Sequence, residues 1–164
     1  MPTRNSIPLF DKTDVPRRGA DLRRALERAS RPAGMTTFET AIMIDPSLEP
    51  AYVQLAELQS EMGDEASAER TLRRAIELSQ PSGAAHYALG LSLVRQGRDE
   101  EAIPLLAEAT RLAPHHGQYR LVLALAQLSA GRRTDAVATL EQAVLLHPED
   151  SETRSVLEGL RGRR

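Results

Sequence analysis

Cysteine is absent from this 164-residue sequence. Without a thiol the chain forms no disulfide framework, thiolate metal site, cysteine nucleophile or haem attachment of the Cys-x-x-Cys-His type. Aromatic residues are scarce, with three tyrosines, two phenylalanines and no tryptophan. Because Ala, Leu, Glu and Arg dominate instead, the composition favours helices and nearly excludes an all-β fold.

Long apolar runs are also missing. No stretch reaches the roughly 18 residues of a membrane span, and residues 1–10 lack the hydrophobic region of a secretory signal. We therefore expect a soluble cytoplasmic chain, or a periplasmic one if it is a fragment of a longer exported protein. Its length and its 41% hydrophobic content suffice for one compact domain or one short repeat array.

The middle of the chain lacks a net positive charge. Residues 1–35 carry eight basic and four acidic groups, whereas residues 36–160 carry ten basic and nineteen acidic groups. Nucleic-acid binding needs lysines and arginines gathered along one folded face. We therefore expect neither a nucleic-acid partner nor insertion into a membrane, and we expect the terminal arginines to be solvated.

Catalytic signatures are missing as well. The sequence has no phosphate-binding loop, no nucleophile elbow and no His-Glu-x-x-His helix. His86 is expected to fill a packing position, His147 precedes a turn proline, and the adjacent His115 and His116 would need further ligands to hold an ion. The sequence therefore predicts no enzyme, no cofactor and no metal site.

What the sequence does contain is an internal repeat with a period of 34 residues. Six positions recur in register, which makes chance agreement negligible. Two of them hold small residues, one a glycine between predicted helices, one a leucine, one an alanine and one a closing proline. They are Ala56, Gly90 and Ala124; Ala68, Ala102 and Ala136; Gly63, Gly97 and Gly131; Leu72, Leu106 and Leu140; Ala75, Ala109 and Ala143; and Pro114 with Pro148.

This pattern resembles the tetratricopeptide repeat (TPR) family, whose unit is a pair of antiparallel helices in 34 residues. The resemblance implies an all-α fold, a right-handed superhelix of stacked hairpins or α-solenoid. We predict three units in residues 49–150, at 49–82, 83–116 and 117–150. A flexible arm (1–18) and a degenerate helical hairpin (19–48) are expected before them, and a capping helix with a basic tail (151–164) after them.

The recurring residues have physical reasons. The small residues let the two helices of a unit approach closely at their crossing, and the glycines suit a left-handed backbone at the end of the first helix. Asp64, Asp99 and Thr134 are expected to cap the second helices. Since one hairpin cannot bury its own apolar face, successive units must stack, and about three are needed for stability.

The resemblance further implies that the first helix of each unit lines a concave groove. Carried over position by position, the predicted protein-binding residues are mostly apolar. They are Val53 and Glu57 in the first unit, Tyr87, Leu91, Val94 and Arg95 in the second, and Leu121, Leu125 and Leu128 in the third. The subclass that grips the C-terminus of chaperone peptides resembles a Lys/Arg and Asn pattern at the fifth and ninth positions, which is absent here, so that ligand is disfavoured.

An apolar groove on the surface usually marks a binding site, so we predict a non-catalytic adaptor or scaffold. Three occupants remain open: a segment of a partner protein, another copy of the chain in a homo-oligomer, or the apolar cluster at residues 7–10 folding back. Alternatively, Leu121 and Leu125 are core residues. The run from Ala51 to Gly131 also resembles TPR segments of bacterial multihaem electron-transfer assemblies, and a secretion chaperone is a further alternative.

Overall fold

The 34-residue period of the sequence reappears as the spacing of helix starts. The computed structural model describes residues 33–78 and 82–162, which contain helices and no strands. Helix α1 covers residues 33–44. The others are α2 (Glu49–Glu61), α3 (Glu65–Leu78), α4 (Gly83–Arg95), α5 (Asp99–Leu112), α6 (Gly117–Ser129), α7 (Arg133–Leu146) and α8 (Ser151–Gly162). The predicted all-α fold is thus confirmed.

The turn inside each hairpin is made by a glycine with a left-handed backbone. Gly63, Gly97 and Gly131 have φ angles of 83°, 73° and 77°, and no other described residue apart from these glycines has a positive φ. A Cβ built at these positions would meet nothing within 4 Å. The glycines are therefore required by the backbone conformation and not by a lack of space, as the sequence predicted.

The start of α3 is capped as expected. Asp64 accepts a hydrogen bond of 3.0 Å from the backbone N–H of Ser67. At the start of α8, Asp150 accepts bonds from both the N–H and the hydroxyl of Thr153, at 3.1 and 2.6 Å. Such side-chain caps satisfy helix N–H groups that have no partner within the helix.

The predicted caps Asp99 and Thr134 are wrong. Helices α5 and α7 begin earlier than expected, so that their N-cap residues are Arg98 and Arg132, and neither side chain makes a cap bond. Both arginines occupy the repeat position of Asp64. The carboxylate of Asp99 accepts a 2.6 Å bond from the Ser129 hydroxyl instead, which ties α5 to the next hairpin.

Helices pair as α2 with α3, α4 with α5 and α6 with α7, and consecutive pairs stack through α3 on α4 and α5 on α6. The recurring alanines and leucines form the core, as predicted. A Cβ built on Gly90 would lie 2.6 Å from Cγ of Leu106, so α4 and α5 approach more closely than an alanine would permit. The stacked hairpins hold all the first helices on one side, which is where the groove is expected.

Helix α8 starts where a fourth unit would start, and it packs against α7. Leu157 is buried with Leu121 and Leu140, as the leucine at this repeat position is in the other first helices. Glu158 occupies the position held by Ala56, Gly90 and Ala124, and its side chain is exposed. The outer face of α8 is therefore polar, as a helix that covers the end of a stack should be.

At the other end, Ile42 of α1 packs against the buried cluster of Tyr52, Ala75 and Ala85. The predicted arm (1–18), its apolar cluster at 7–10 and the first helix of the degenerate hairpin lie outside the described residues. Of the helices described, none combines the length and the apolar character that crossing a membrane requires.

Candidate protein-binding groove

A cavity of about 330 Å³ lies between α2 and α4 and reaches the start of α6. It opens between the first helices of the first two hairpins, where the resemblance placed a groove. Its lining is mainly apolar and contains one acidic and one basic side chain. The lining residues are Val53, Ala56, Glu57, Ala68, Leu72, Ala84, Tyr87, Ala88, Leu91, Ser92, Arg95, His116, Gln118 and Tyr119.

Five of the predicted groove residues meet at this cavity. Val53 and Glu57 come from α2, and Tyr87, Leu91 and Arg95 come from α4. Each lies at a repeat position that faces the neighbouring first helix, because α2 and α4 begin 34 residues apart and run side by side. Their role in binding stays a prediction, but the structure brings them together on one accessible surface.

The other four predicted residues do not line the cavity. Leu121 is only 7% exposed and is a core residue packed in one buried cluster with Leu140 and Leu157, so the expectation of an accessible leucine there needs correction. Leu128 packs against the same cluster, and Val94 against the central core. Leu125 is 44% exposed and lies on α6 at the repeat position that Leu91 has on α4.

An aromatic stack connects α4 to α6 at the cavity. The rings of Tyr87 and Tyr119 are 4.2 Å apart between centroids and inclined by 15°, and His116 also stacks on Tyr119, with 4.9 Å between the ring centroids. Sequence reasoning missed Tyr119 and His116. The signal for Tyr119 was present, since the first two units have Ala51 and Ala85 at its repeat position.

Gly83 makes room for this stack. A Cβ at Gly83 would lie 3.2 Å from Cε2 of Tyr119, 2.8 Å from Cβ of Ala113 and 3.0 Å from the carbonyl oxygen of Ala109. The first residue of α4 must therefore be small for α5 and α6 to pack as they do. Placement of the Tyr119 ring is thus a consequence of tertiary packing around a glycine.

Both tyrosines keep their protons at neutral pH. Burial raises the pKa of Tyr87, and the neighbouring Tyr119 raises it further. Burial also raises the pKa of Tyr119, with a smaller contribution from Glu49. Over the part of the chain that the structure describes, neither hydroxyl has a hydrogen-bond partner, so both are available as donors to a bound molecule.

A short polar network borders the cavity on the α3 side. Arg95 donates a 3.0 Å bond to the hydroxyl of Ser60, which donates a 2.5 Å bond to Glu65. Ser92 donates a second bond to Glu65, at 3.0 Å. The Ser60 hydroxyl, followed by Ser92 and the charge of Arg95, holds the pKa of Glu65 below its ordinary value although burial opposes this.

Two charged side chains at the cavity are unpaired. Glu57 accepts a 2.9 Å bond from the amide of Gln54, and Arg95 bonds to the neutral Ser60 hydroxyl. Counting only residues 33–78 and 82–162, neither makes an ion pair. An apolar cavity flanked by an unpaired anion and an unpaired cation can take up a side chain and orient the chain that carries it.

Within residues 33–78 and 82–162, no three His, Asp or Glu side chains lie close enough together to hold a metal ion. His86 is half-buried, with Nδ1 2.9 Å from the carbonyl oxygen of Ser82. His115 and His116 are both exposed.

Comparison with known proteins agrees with this architecture. Two family models described as tetratricopeptide repeat match residues 53–117 and 93–159, and together they span most of the chain. No curated protein sequence matches it.

Among solved structures, MamA 41-end from Desulfovibrio magneticus RS-1 superposes with a TM-score of 0.69 at 20% identity, covering 94% of this chain and 86% of that one. The thermophilic TPR protein TTC0263 of Thermus thermophilus gives 0.66 at 21% identity, with 84% and 76% covered. YrrB, described as a TPR protein with an unusual peptide-binding site, gives 0.66 at 17% identity, with 87% and 73% covered. At these identities the likeness shows the fold alone, and the family models together with the 34-residue helix spacing establish that this chain belongs to the tetratricopeptide repeat family.

Proposed function

We propose that the chain is a non-catalytic adaptor that binds a segment of a partner protein in the groove between α2, α4 and α6. The observation that carries this proposal is the open apolar cavity of about 330 Å³ at the predicted groove positions. This volume lies at the lower end of the range of about 300–1,000 Å³ that is typical of ligand pockets. Members of the TPR family are typically interaction modules, and YrrB, which shares the fold, is described as peptide-binding.

The exposed apolar side chains around the cavity support the same proposal. Val53, Tyr87 and Leu91 are all half-buried at its wall, and Leu125 extends the apolar surface along α6. Apolar side chains that line a concave site, with a few polar groups among them, are the usual lining of a ligand pocket. Because the helices that carry these residues are fixed by the core, the partner would meet a preformed surface and little ordering entropy would oppose binding.

The predicted residues then divide into three roles. Val53, Tyr87, Leu91 and Leu125 would contact the partner, and Glu57 and Arg95 would select its polar neighbours. Leu121, Val94 and Leu128 would pack beneath the contact surface and hold α4 and α6 in place. Tyr119 joins the contact surface through its stack with Tyr87.

The test is affinity capture with the full chain, with mass spectrometry to identify what is retained. Replacing Leu91 and Leu125 together by alanine should abolish specific capture, because it removes apolar contact area from both α4 and α6. The matched control replaces Leu145 and Leu146, exposed leucines at the end of α7, by alanine and should leave capture unchanged.

Circular dichroism decides whether a loss is due to binding. Both double variants should keep the helical signal of the parent chain. Capture that survives the Leu91→Ala/Leu125→Ala replacement, or that the control variant loses equally, would contradict the proposal. Loss of the helical signal in the first variant alone would show that the two leucines serve the core.

A further inference from the structure

We infer that the groove selects a segment in which one large apolar side chain lies near an acidic residue on one side and a basic residue on the other. This inference rests on the proposed function and specifies its partner. The apolar side chain would enter the cavity beside Tyr87 and Tyr119. The acidic residue would pair with Arg95, and the basic residue with Glu57.

The volume of the cavity sets the size of the apolar residue. A dry cavity of about 150 Å³ in another protein takes up one benzene molecule, and the cavity between α2 and α4 measures about 330 Å³. It therefore has room for one aromatic ring or for one large aliphatic side chain with a neighbour. It is too small for a folded surface to enter, so the partner contributes a protruding side chain.

The stacked tyrosines favour an aromatic or flat side chain. The rings of Tyr87 and Tyr119 already form a continuous π surface, and a further ring that packs at their edge gains a favourable edge-to-face contact in addition to its buried area. Their hydroxyl groups have no partner within the described ranges and remain protonated at neutral pH. Each is therefore a donor for a backbone carbonyl of the bound segment.

Arg95 supplies the preference for an acidic residue. Its guanidinium group uses one N–H toward the neutral Ser60 hydroxyl, which leaves most of its planar donor set free for a carboxylate. The nearest carboxylate of the network, Glu65, accepts hydrogen bonds from Ser60 and Ser92, and its hydrogen-bonded connection to Arg95 runs through Ser60. The positive charge of Arg95 is thus not cancelled by a direct ion pair.

Glu57 supplies the preference for a basic residue on the other side. It lies on α2 at the repeat position of Leu91, one helical turn before the position of Arg95, so the two charges sit diagonally across the cavity. A segment with charges of both signs satisfies both rims at once and fixes the direction in which it binds.

The experiment is selection from a random peptide library displayed on phage, with the full chain and its Arg95→Glu and Glu57→Lys variants as baits. The parent chain should enrich peptides in which an aromatic or leucine residue has an acidic residue on one side and a basic residue on the other. Arg95→Glu should lose the acidic preference, and Glu57→Lys should lose the basic one. Arg74→Gln and Glu77→Gln, changes at exposed charges on α3, should enrich the same peptides as the parent chain.

A double-mutant cycle then measures the pairing directly. One enriched peptide is synthesised with its acidic residue and with the matching amide, and fluorescence anisotropy gives its affinity for the parent chain and for Arg95→Gln. A coupling of about two- to fivefold between the two changes is expected for a partly exposed ion pair. Independent effects, or enriched peptides without acidic residues, would overturn the inference and leave the proposed function standing.

Failure of the proposed function itself looks different. If no peptide is enriched, or if enriched peptides bind Tyr87→Ala/Leu91→Ala as tightly as they bind the parent chain, then the groove is not the site and both proposals are overturned. If light scattering finds a dimer that this double variant dissociates, a second copy of the chain fills the groove, and the inference about a separate partner segment is overturned.

Discussion

The middle hairpin, α4–α5, and the hairpins on either side of it fill the same repeat positions with different chemistry. In α2–α3 the hydroxyl of Thr71 donates a 2.8 Å bond to the buried amide of Gln59. In α6–α7 the equivalent Thr139 and Gln127 make the same bond at 2.9 Å. In α4–α5 those two positions hold Leu93 and Leu105, which pack in the central core.

The difference teaches that the repeat conserves geometry and not polarity. A buried pair of positions can be filled by two apolar side chains, or by a hydrogen-bond donor and an acceptor that satisfy each other. One polar and one apolar side chain would leave a buried polar group without a partner, which lowers stability. The apolar solution occurs in the hairpin that is packed on both sides and that carries Tyr87, Leu91 and Arg95. The hairpin that is apolar at this buried pair therefore carries three of the five predicted residues that line the cavity.

Breaking the middle hairpin at this pair should have the largest effect. Leu93→Gln would bury an amide beside Leu105 without a partner, and should lower the free energy of unfolding by about 3 kcal/mol. Adding Leu105→Thr, which recreates the outer pair, should restore about 1 kcal/mol. Urea unfolding followed by circular dichroism measures both; equal stability of the parent and Leu93→Gln would contradict the prediction.

A second comparison concerns the small residue at the helix crossing. Gly90→Ala would place a methyl group 2.6 Å from Leu106 Cγ, and this overpacking should outweigh the better helix propensity of alanine, with a net loss of about 1–2 kcal/mol. The reverse change in the third hairpin, Ala124→Gly, should also cost about 1–2 kcal/mol, through lower helix propensity and through the loss of a buried methyl group. Thermal unfolding of both variants tests the pair, and a stabilised Gly90→Ala would show that the middle crossing has spare room.

A third test concerns Ser92 in the middle hairpin. The third hairpin has Ala126 at the same repeat position. The pKa of Glu65 is lowered in the folded chain, mainly by Ser60 and then by Ser92. Its stabilising contribution is therefore complete above the ordinary glutamate pKa of 4.5 and is lost as the pH falls through the lower folded value. Ser92→Ala should lower stability by up to about 1 kcal/mol at neutral pH.

The pH dependence of that difference is the diagnostic measurement. The unfolding free energies of the parent chain and Ser92→Ala should converge as the pH is lowered below 4.5, the ordinary value for glutamate. Ser155→Ala, at an exposed position on α8 outside this network, serves as the reference. A difference that stays constant with pH would mean that Ser92 acts through packing and not through Glu65.

The smallest effect is expected at the repeat position where one hairpin has a helix cap and another has an ion pair. Arg132 occupies the position of the capping Asp64 and pairs with Glu100 of the preceding hairpin, with both side chains largely exposed. Arg132→Asn would lose an exposed pair worth at most about 1 kcal/mol and gain a cap worth about as much. Stability should therefore change by less than about 0.5 kcal/mol in thermal unfolding, and a loss above about 1 kcal/mol would show that the ion pair joins the hairpins more strongly than its exposure suggests.

Some features of the fold and of the groove could be predicted from the sequence, and others could not. The phase of the repeat, the left-handed glycines and the cap Asp64 followed from residue types at fixed spacing. The starts of α5 and α7 were predicted too late in the chain, because Asp and Thr are preferred N-cap residue types and Asp99 and Thr134 were chosen on that ground. In the structure, each helix instead begins at a fixed distance after the preceding glycine. Tyr119 was missed, although a tyrosine in place of the alanines at that position was a usable signal.

The sequence by itself determined the all-α repeat, its period and the surface on which a groove would form, because these depend on local backbone preferences and on which residues recur. Only the tertiary structure decided which groove positions are accessible. Leu121 and Tyr87 occupy the same repeat position, yet Leu121 is covered in the cluster to which α8 contributes Leu157, whereas Tyr87 stacks on Tyr119 beside an open cavity. Whether a side chain is buried depends on which side chains of the neighbouring helix pack against it. A periodic sequence specifies the position of a side chain in its helix, but it does not specify those contacts.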